Sequence, residues 1–329
     1  MKILFYGAKD YDRLYFDPAI REAGFDCRVK YLQANLDRTT ASLASGYEAV
    51  CLFVNADCSR PVLEVLARHG VRLLLLRCAG FNHVDLEAAR SLGLTVLRVP
   101  GYSPEAVAEF AMALALTCVR RLHKAYIKVR NNNFSLDGLL GRNLSGSTAG
   151  ILGTGKIGVA MARICRGFGM DVIAYDSYPN PTLDGLVTYC PLEEVLRRSD
   201  LISLHCPLTP QTHHMINRET IALMKDTAIL INTSRGPLIH TEALLEALRQ
   251  HKFSAVGLDV YENEECQVFE DCSDEVLENE QVPQLLAFPN VIVTSHQAFF
   301  THTALETIAR ITIENARAFA LGHKLKNQV

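Results

Sequence analysis

One segment near the middle of the chain leaves few folds open to it. The short apolar run Ala149–Leu152 is followed at once by Gly153-Thr154-Gly155-Lys156-Ile157-Gly158, a helical stretch Val159–Phe168, a second apolar run Asp171–Tyr175, and then Asp176. Strand, tight turn, helix and strand in that order make a parallel pair, because parallel neighbours need a crossover between them. The glycines serve different ends, since Gly153 permits the turn, Gly155 lets a pyrophosphate approach the backbone, and Gly158 lets helix and sheet pack closely. The helix N-terminus then aims free N–H groups at phosphate. Asp176 stands where a carboxylate accepts bonds from a ribose diol and repels a 2′-phosphate, which favours NAD over NADP.

The same rhythm runs through the rest of the chain. Before the motif, Lys2–Tyr6, Ala49–Val54, Val71–Leu76 and Leu94–Val99 read as strands, with helices bracketed by Ser59, Pro61 and Gly70 and by Asp85 and Gly93. After it, Leu201–His205, Ala228–Asn232, Ala255–Leu258 and Val291–Thr294 bring the second series to six strands. Between the series, Ser103-Pro104-Glu105 opens one long helical stretch to about Arg130, with Val107, Phe110, Ala111, Leu114, Ala115 and Cys118 too widely spread for a single narrow face. Burial against another domain or subunit is expected for it. A last helix is expected over about Thr301 to Leu321. At 329 residues the chain exceeds one ordinary core, so the expected class is α/β with two doubly wound parallel sheets.

Composition narrows the function by exclusion. A net charge of −3 supplies no electrostatic footprint for nucleic acid or an acidic membrane. No apolar run is long enough to span a bilayer, and Met1–Gly7 reads as a first strand rather than an export signal, so a cytoplasmic location is expected. The ten cysteines are scattered from Cys27 to Cys272 without a C-x-x-C pair or zinc spacing, and read as reduced thiols with no metal.

Three further residues follow the ends of later strands: Arg235 after Ala228–Asn232, Glu264 after Ala255–Leu258, and His296 after Val291–Thr294. Taken singly, each has a bland alternative: Arg235 as a turn residue, Glu264 as one of several solvated acids beside Glu262 and Glu265, and His296 as a satisfied helix-edge histidine. Strand C-terminal ends of a doubly wound sheet gather along the ligand crevice, so together the three form a candidate catalytic set. An arginine there grips a carboxylate in a bidentate fork, and a histidine beside a carboxylate exchanges a proton near neutral pH. Such a set suits reduction of a 2-keto acid.

These residues resemble the D-isomer-specific 2-hydroxyacid dehydrogenases, and within that family the D-lactate dehydrogenase branch, over essentially the whole chain. The resemblance is carried by Arg77–Asp85, Pro104–Glu109, the glycine motif, His205–Pro210, Asn232–Gly236, Asp259–Glu264 and Ser295–Gln297. It implies a Rossmann-like NAD-binding domain over 101–298 and a flavodoxin-like substrate domain made of 1–100 and 299–329, completed by the returning C-terminal helix. By the same likeness Arg235 binds the substrate's carboxylate and carbonyl oxygen, His296 is the acid/base, and Glu264 supports the protonated ring. Ala79, Gly80 and Tyr102 help hold the substrate, and Phe299 crowds it, which suits the methyl group of pyruvate. Gly153, Gly155, Lys156, Ile157, Gly158, Asp176, Cys206, Pro207, Thr212, Thr233, Ser234 and Asp259 surround the dinucleotide. A homo-oligomer, dimer or tetramer, is implied as well.

The sequence departs from the family pattern at three places. Glu265 stands where many members carry proline, His240 where an aspartate usually opens the next helix, with Thr241 as the substitute cap, and Thr212 where an amide is common. Rival readings are a different 2-keto acid, such as glyoxylate, hydroxypyruvate or a bulkier one, and an NADH-sensing corepressor-like binding protein.

Overall fold

A computed structural model describes residues 1–264, 268–275, 277 and 279–329; Glu265 lies outside the described residues. The chain divides into two compact units, Met1–Ser103 with Phe300–Val329, and Pro104–Phe299.

The strands of the first unit are β1 (Lys2–Phe5), β2 (Arg28–Tyr31), β3 (Ala49–Leu52), β4 (Leu73–Leu76) and β5 (Thr95–Arg98). Those of the second are β6 (Thr148–Leu152), β7 (Asp171–Tyr175), β8 (Thr188–Tyr189), β9 (Leu201–Leu204), β10 (Ile229–Asn232), β11 (Ala255–Leu258) and β12 (Val291–Val293). The helices are α1 (Asp10–Glu22), α2 (Arg60–Arg68), α3 (Leu86–Ser91), α4 (Pro104–Arg120), α5 (Leu122–Arg130), α6 (Lys156–Gly167), α7 (Leu192–Arg198), α8 (Arg218–Leu223), α9 (Thr241–Arg249), α10 (Gln281–Leu286) and α11 (His302–Ala320).

Every strand pairing is parallel. The first sheet runs β2-β1-β3-β4-β5 and the second β12-β11-β10-β9-β6-β7-β8. β3, β4, β9, β10 and β11 are buried at every position, as strands covered on both faces must be. Two strands escape the sequence reading. β2 is an edge strand that alternates exposed Arg28 and Lys30 with half-buried Val29 and Tyr31, and β8 has only two residues, which makes the second sheet seven-stranded rather than six.

The long helix expected to reach Arg130 is broken. Arg121 adopts a left-handed conformation (φ 51°) between α4 and α5, and its guanidinium donates to the carbonyl of Gly138. α4 buries Ala106, Val107, Ala108, Ala111, Met112, Leu114, Ala115, Cys118 and Val119, and it packs on α6, β10 and β11 within its own unit. At Gly257 of β11 an added Cβ would meet Ile231 of the neighbouring strand at 2.8 Å, with Leu114 of α4 at 3.4 Å.

In the first unit, Asp85 caps α3 through the Ala88 N–H and Thr301 caps α11 through the Ala304 N–H. α11 lies against α1, β4 and β5. The chain end is fastened there too, with Arg98 N donating to Asn327 O and Asn315 Nδ2 to Arg98 O.

Candidate active site

The strand order of the second sheet reverses between β6 and β9, from which chain segments depart to opposite sides. Ligands of open α/β sheets bind beyond the strand C-termini at such a point. Gly153 lies there with φ 95°, and an added Cβ would come within 2.7 Å of the His205–Cys206 peptide. Gly158 is held as tightly, since its Cβ would collide with the Gly153 carbonyl oxygen. Gly155 differs: nothing lies within 4 Å of its Cβ position, and it is the N-cap of α6 without any side-chain cap. An uncapped helix N-terminus with open space before it, at the exposed Lys156 and half-buried Ile157, accommodates a pyrophosphate.

Asp176 follows β7 and is already engaged. Its Oδ2 accepts from Thr154 N (2.6 Å) and Thr154 Oγ1 (2.9 Å), and its Oδ1 from Tyr178 N (2.8 Å). A carboxylate has about four acceptor positions, so the glycine loop itself orients Asp176 and one position is left for a ribose hydroxyl. Beyond β9, Cys206 is buried with its thiol pushed up to about 11 by that burial, and Pro207 is exposed. Thr212 has its hydroxyl turned inward: it donates to Pro207 O (2.6 Å) and accepts from Thr209 N (2.8 Å), closing the 207–212 turn. After β10, the Thr233 hydroxyl is buried with no partner among the described residues. That orphan, the open Gly155 and the uncapped α6 together fit a dinucleotide.

The turn bearing Arg235 is built by Asn232, whose Oδ1 accepts from Ser234 N (3.0 Å) and whose Nδ2 donates to Arg235 O (2.8 Å). Ser234 Oγ adds a bond to Cys206 O at 2.7 Å. Only glycine fits next, because a Cβ on Gly236 would collide with the Tyr261 carbonyl. The guanidinium of Arg235, half-buried, makes one bond among the described residues, Nη1 to Ser234 O at 2.6 Å.

His296 and Glu264 are brought together: Nδ1 donates to Oε1 at 2.8 Å, with both side chains largely buried. The other carboxylate oxygen of Glu264 is buried, with no partner among the described residues. His296 is held at φ 53°, a conformation that costs a non-glycine residue energy unless its surroundings enforce it. Asp259 enforces it. This fully buried residue accepts from His296 N through its backbone oxygen (2.9 Å), while Oδ1 takes Thr294 Oγ1 (2.6 Å) and Gln297 N (2.9 Å) and Oδ2 takes Ala298 N (2.8 Å). Asp259 therefore acts on the site through the loop it fastens, a role its expected cofactor contact did not include. Phe269, unremarked in the sequence, lies 5.9 Å from the His296 ring and 6.2 Å edge-on to Phe299.

The remaining predicted residues belong to the first unit. Ala79 and Gly80 follow β4, where Ala79 O accepts from Arg98 Nη1 (2.8 Å) and Gly80 O from the Cys78 thiol (3.2 Å), and Tyr102 follows β5. The substitute cap expected of Thr241 is corrected. Thr241 is the first residue of α9, His240 before it makes no capping bond, and the N–H of Thr241 goes to the carboxylate of Glu262 at 2.7 Å. Among the described residues no group of histidines, cysteines and acids is arranged to hold a metal ion, and no helix is long and apolar enough to cross a membrane.

Known proteins share this architecture. The D-isomer specific 2-hydroxyacid dehydrogenase NAD binding domain matches residues 112–298. Over 330 aligned residues the chain is 47% identical to the D-lactate dehydrogenase of Escherichia coli (strain K12), covering all of both proteins. The apo structure of D-lactate dehydrogenase from Escherichia coli superposes with a TM-score of 0.91 at 45% identity over the full length of both chains. The pyruvate reductase of Chlamydomonas reinhardtii superposes with a TM-score of 0.93 at 42% identity, covering 99% of this chain and 98% of that one. The chain belongs to the D-isomer specific 2-hydroxyacid dehydrogenase family and is an NAD-dependent oxidoreductase of that family.

Proposed function

We propose that the protein reduces pyruvate to D-lactate, reversibly, with Arg235, His296 and Glu264 as its catalytic residues. The observation that carries this reading is the pair His296 Nδ1–Glu264 Oε1 at 2.8 Å, on the same strand-end edge as an arginine whose guanidinium makes one bond among the described residues. When bound, NADH supplies the hydride that reduces the carbonyl carbon. Arg235 grips the substrate carboxylate and polarises the carbonyl oxygen, for which its fork geometry is suited. Glu264 fixes the ring by its Nδ1 bond, which leaves Nε2 to give its proton to the carbonyl oxygen and to take it back in lactate oxidation. Phe269 and Phe299 form an aromatic wall beside His296, which favours a methyl over a bulky side chain. The substrate-binding roles of Ala79, Gly80 and Tyr102 rest on the family resemblance.

A homo-oligomer belongs to the same reading. Leu122, Tyr126 and Ile127 of α5, with Phe134, Leu136 and Leu140 beyond it, leave large apolar side chains exposed, more than a lone soluble subunit usually shows in one stretch. All nine described cysteines are free thiols, in keeping with a reducing, cytoplasmic setting.

A keto-acid panel with stereochemical analysis of the product tests the reading. Pyruvate is expected to be the best substrate and D-lactate the product; preference for a bulky keto acid, or formation of the L isomer, would reject it.

A further inference from the structure

Glu262 stands two residues before Glu264, and its carboxylate joins segments far apart in the chain. Oε2 accepts the Thr241 N–H of α9 at 2.7 Å, and Oε1 lies 2.6 Å from Nε2 of His214. The backbone that follows its Cα is fastened as well, because Asn279 Nδ2 donates to Glu262 O (2.9 Å) and Asn263 O (3.2 Å). The Glu262 side chain is only 14% exposed, so these bonds are shielded from water. Burial opposes its ionisation, yet the bonds from Thr241 and His214 outweigh burial and hold the carboxyl below the usual range.

The two segments so joined are those that carry Arg235 and Glu264. From Arg235 the chain makes one tight turn, Gly236–Leu238, and reaches Thr241 three residues later. Gly236 itself rests against the Tyr261 carbonyl, immediately before Glu262. We propose that Glu262 is a positioning residue, which sets the spacing between Arg235 and Glu264 and thereby the alignment of Glu264 with His296. The proposal rests on the roles given above to Arg235, Glu264 and His296.

The ionisable groups around the two sites differ. Around Glu262 lie His214, whose ring has the tilted rings of His213 (3.8 Å) and His240 (4.6 Å) beside it, and the positive N-terminal end of α9. Facing His296 are Glu264 and the loop fastened by Asp259. A cap that only stabilised α9 would lower the melting temperature when removed and leave the pH profile of the reaction in place.

Pyruvate reduction by wild type, Glu262→Ala and Glu262→Gln, followed across pH with kcat and KM separated and NADH binding read by fluorescence, distinguishes the two. In Glu262→Ala, kcat/KM is expected to fall by about ten- to a hundredfold, as a displacement of roughly an ångström costs. The fall should come through a higher KM for pyruvate and an alkaline limb displaced to lower pH, with NADH affinity less affected. Glu262→Gln keeps an acceptor for Thr241 and is expected to restore most of the loss. An alanine variant with a lower melting temperature but unchanged KM and alkaline limb overturns the proposal, as does a glutamine variant that fails as badly as alanine. Should Glu262→Ala not fold, His214→Ala is expected to shift the limb in the same direction by less, and an unmoved limb there overturns it too. Wild type inactive on pyruvate overturns the functional reading itself; active wild type with an unaffected alanine variant overturns only the positioning role.

Discussion

Each unit carries an arginine just past the C-terminal end of a central strand, and the two are used in opposite ways. Arg77, after β4, is 4% exposed, gives Nη1 to Tyr6 O (3.2 Å) and Nη2 to Gly7 O (2.9 Å), lies 3.6 Å from Asp12, and sits between the rings of Phe5 and Phe53. Arg235, after β10, has one bond among the described residues, to Ser234 O. The first is a satisfied core residue that ties β1 to β4; the second is a donor fork held ready by Asn232, Ser234 and Gly236. On the role proposed for Arg235, what separates it from a structural arginine at the same place in the fold is how many of its donors the protein itself takes up.

Substitution breaks that contrast in a predictable order. Arg77→Ala leaves Asp12 buried without its partner and two carbonyls without donors, so unfolding free energy is expected to drop by about 3–5 kcal/mol. Burial already pushes the Asp12 carboxyl above its usual range despite Arg77, so a paired apolar replacement, Arg77→Met with Asp12→Leu, should recover part of the loss in a denaturant titration. Arg235→Ala should do the reverse. It is expected to cost about 2–5 kcal/mol in kcat/KM for pyruvate with the melting temperature nearly unchanged; a destabilised variant with normal kinetics would make Arg235 another Arg77.

His205 sharpens the contrast by pH. It is buried at the end of β9, bonded to Ser203 Oγ at 2.8 Å, with Nδ1 unpartnered, and burial lowers its pKa from 6.5 to about 4. The unfolded chain therefore binds a proton that the folded chain refuses, so stability is full above 6.5 and is lost as pH falls from there toward about 4. The loss should approach about 3 kcal/mol, and His205→Gln should flatten it. A wild-type denaturant midpoint that holds steady across that range would show that His205 is not kept neutral.

Much of the fold was legible because its signals are local. β3, β4 and β6 through β12, short β8 excepted, announce themselves as apolar runs, and the glycine motif with Asp176 lies within one strand–helix–strand unit. β2 did not, because an edge strand alternating Arg28, Val29, Lys30 and Tyr31 looks like polar surface. The break at Arg121 was hidden too: no glycine or proline marks it, and its bond partner Gly138 lies in a later loop. In the site, Arg235, Glu264 and His296 were recognisable as polar residues following apolar strands. What holds them was not. Asp259 acts on residues 35 to 39 positions away, and Glu262 on Thr241 and His214, 21 and 48 positions away. Such pairings have no period in sequence and exist only once the sheet has brought its strand ends side by side.

The decisive observation is the fate of nicotinamide absorbance when wild-type and His296→Ala protein are each mixed with NADH and pyruvate. Wild type is expected to consume NADH and form D-lactate, and the variant to do so about 10²–10⁴-fold more slowly while still binding NADH. NADH left unconsumed by the folded wild type, or a variant turning over at the wild-type rate, would contradict the chemistry assigned to this edge of the sheet.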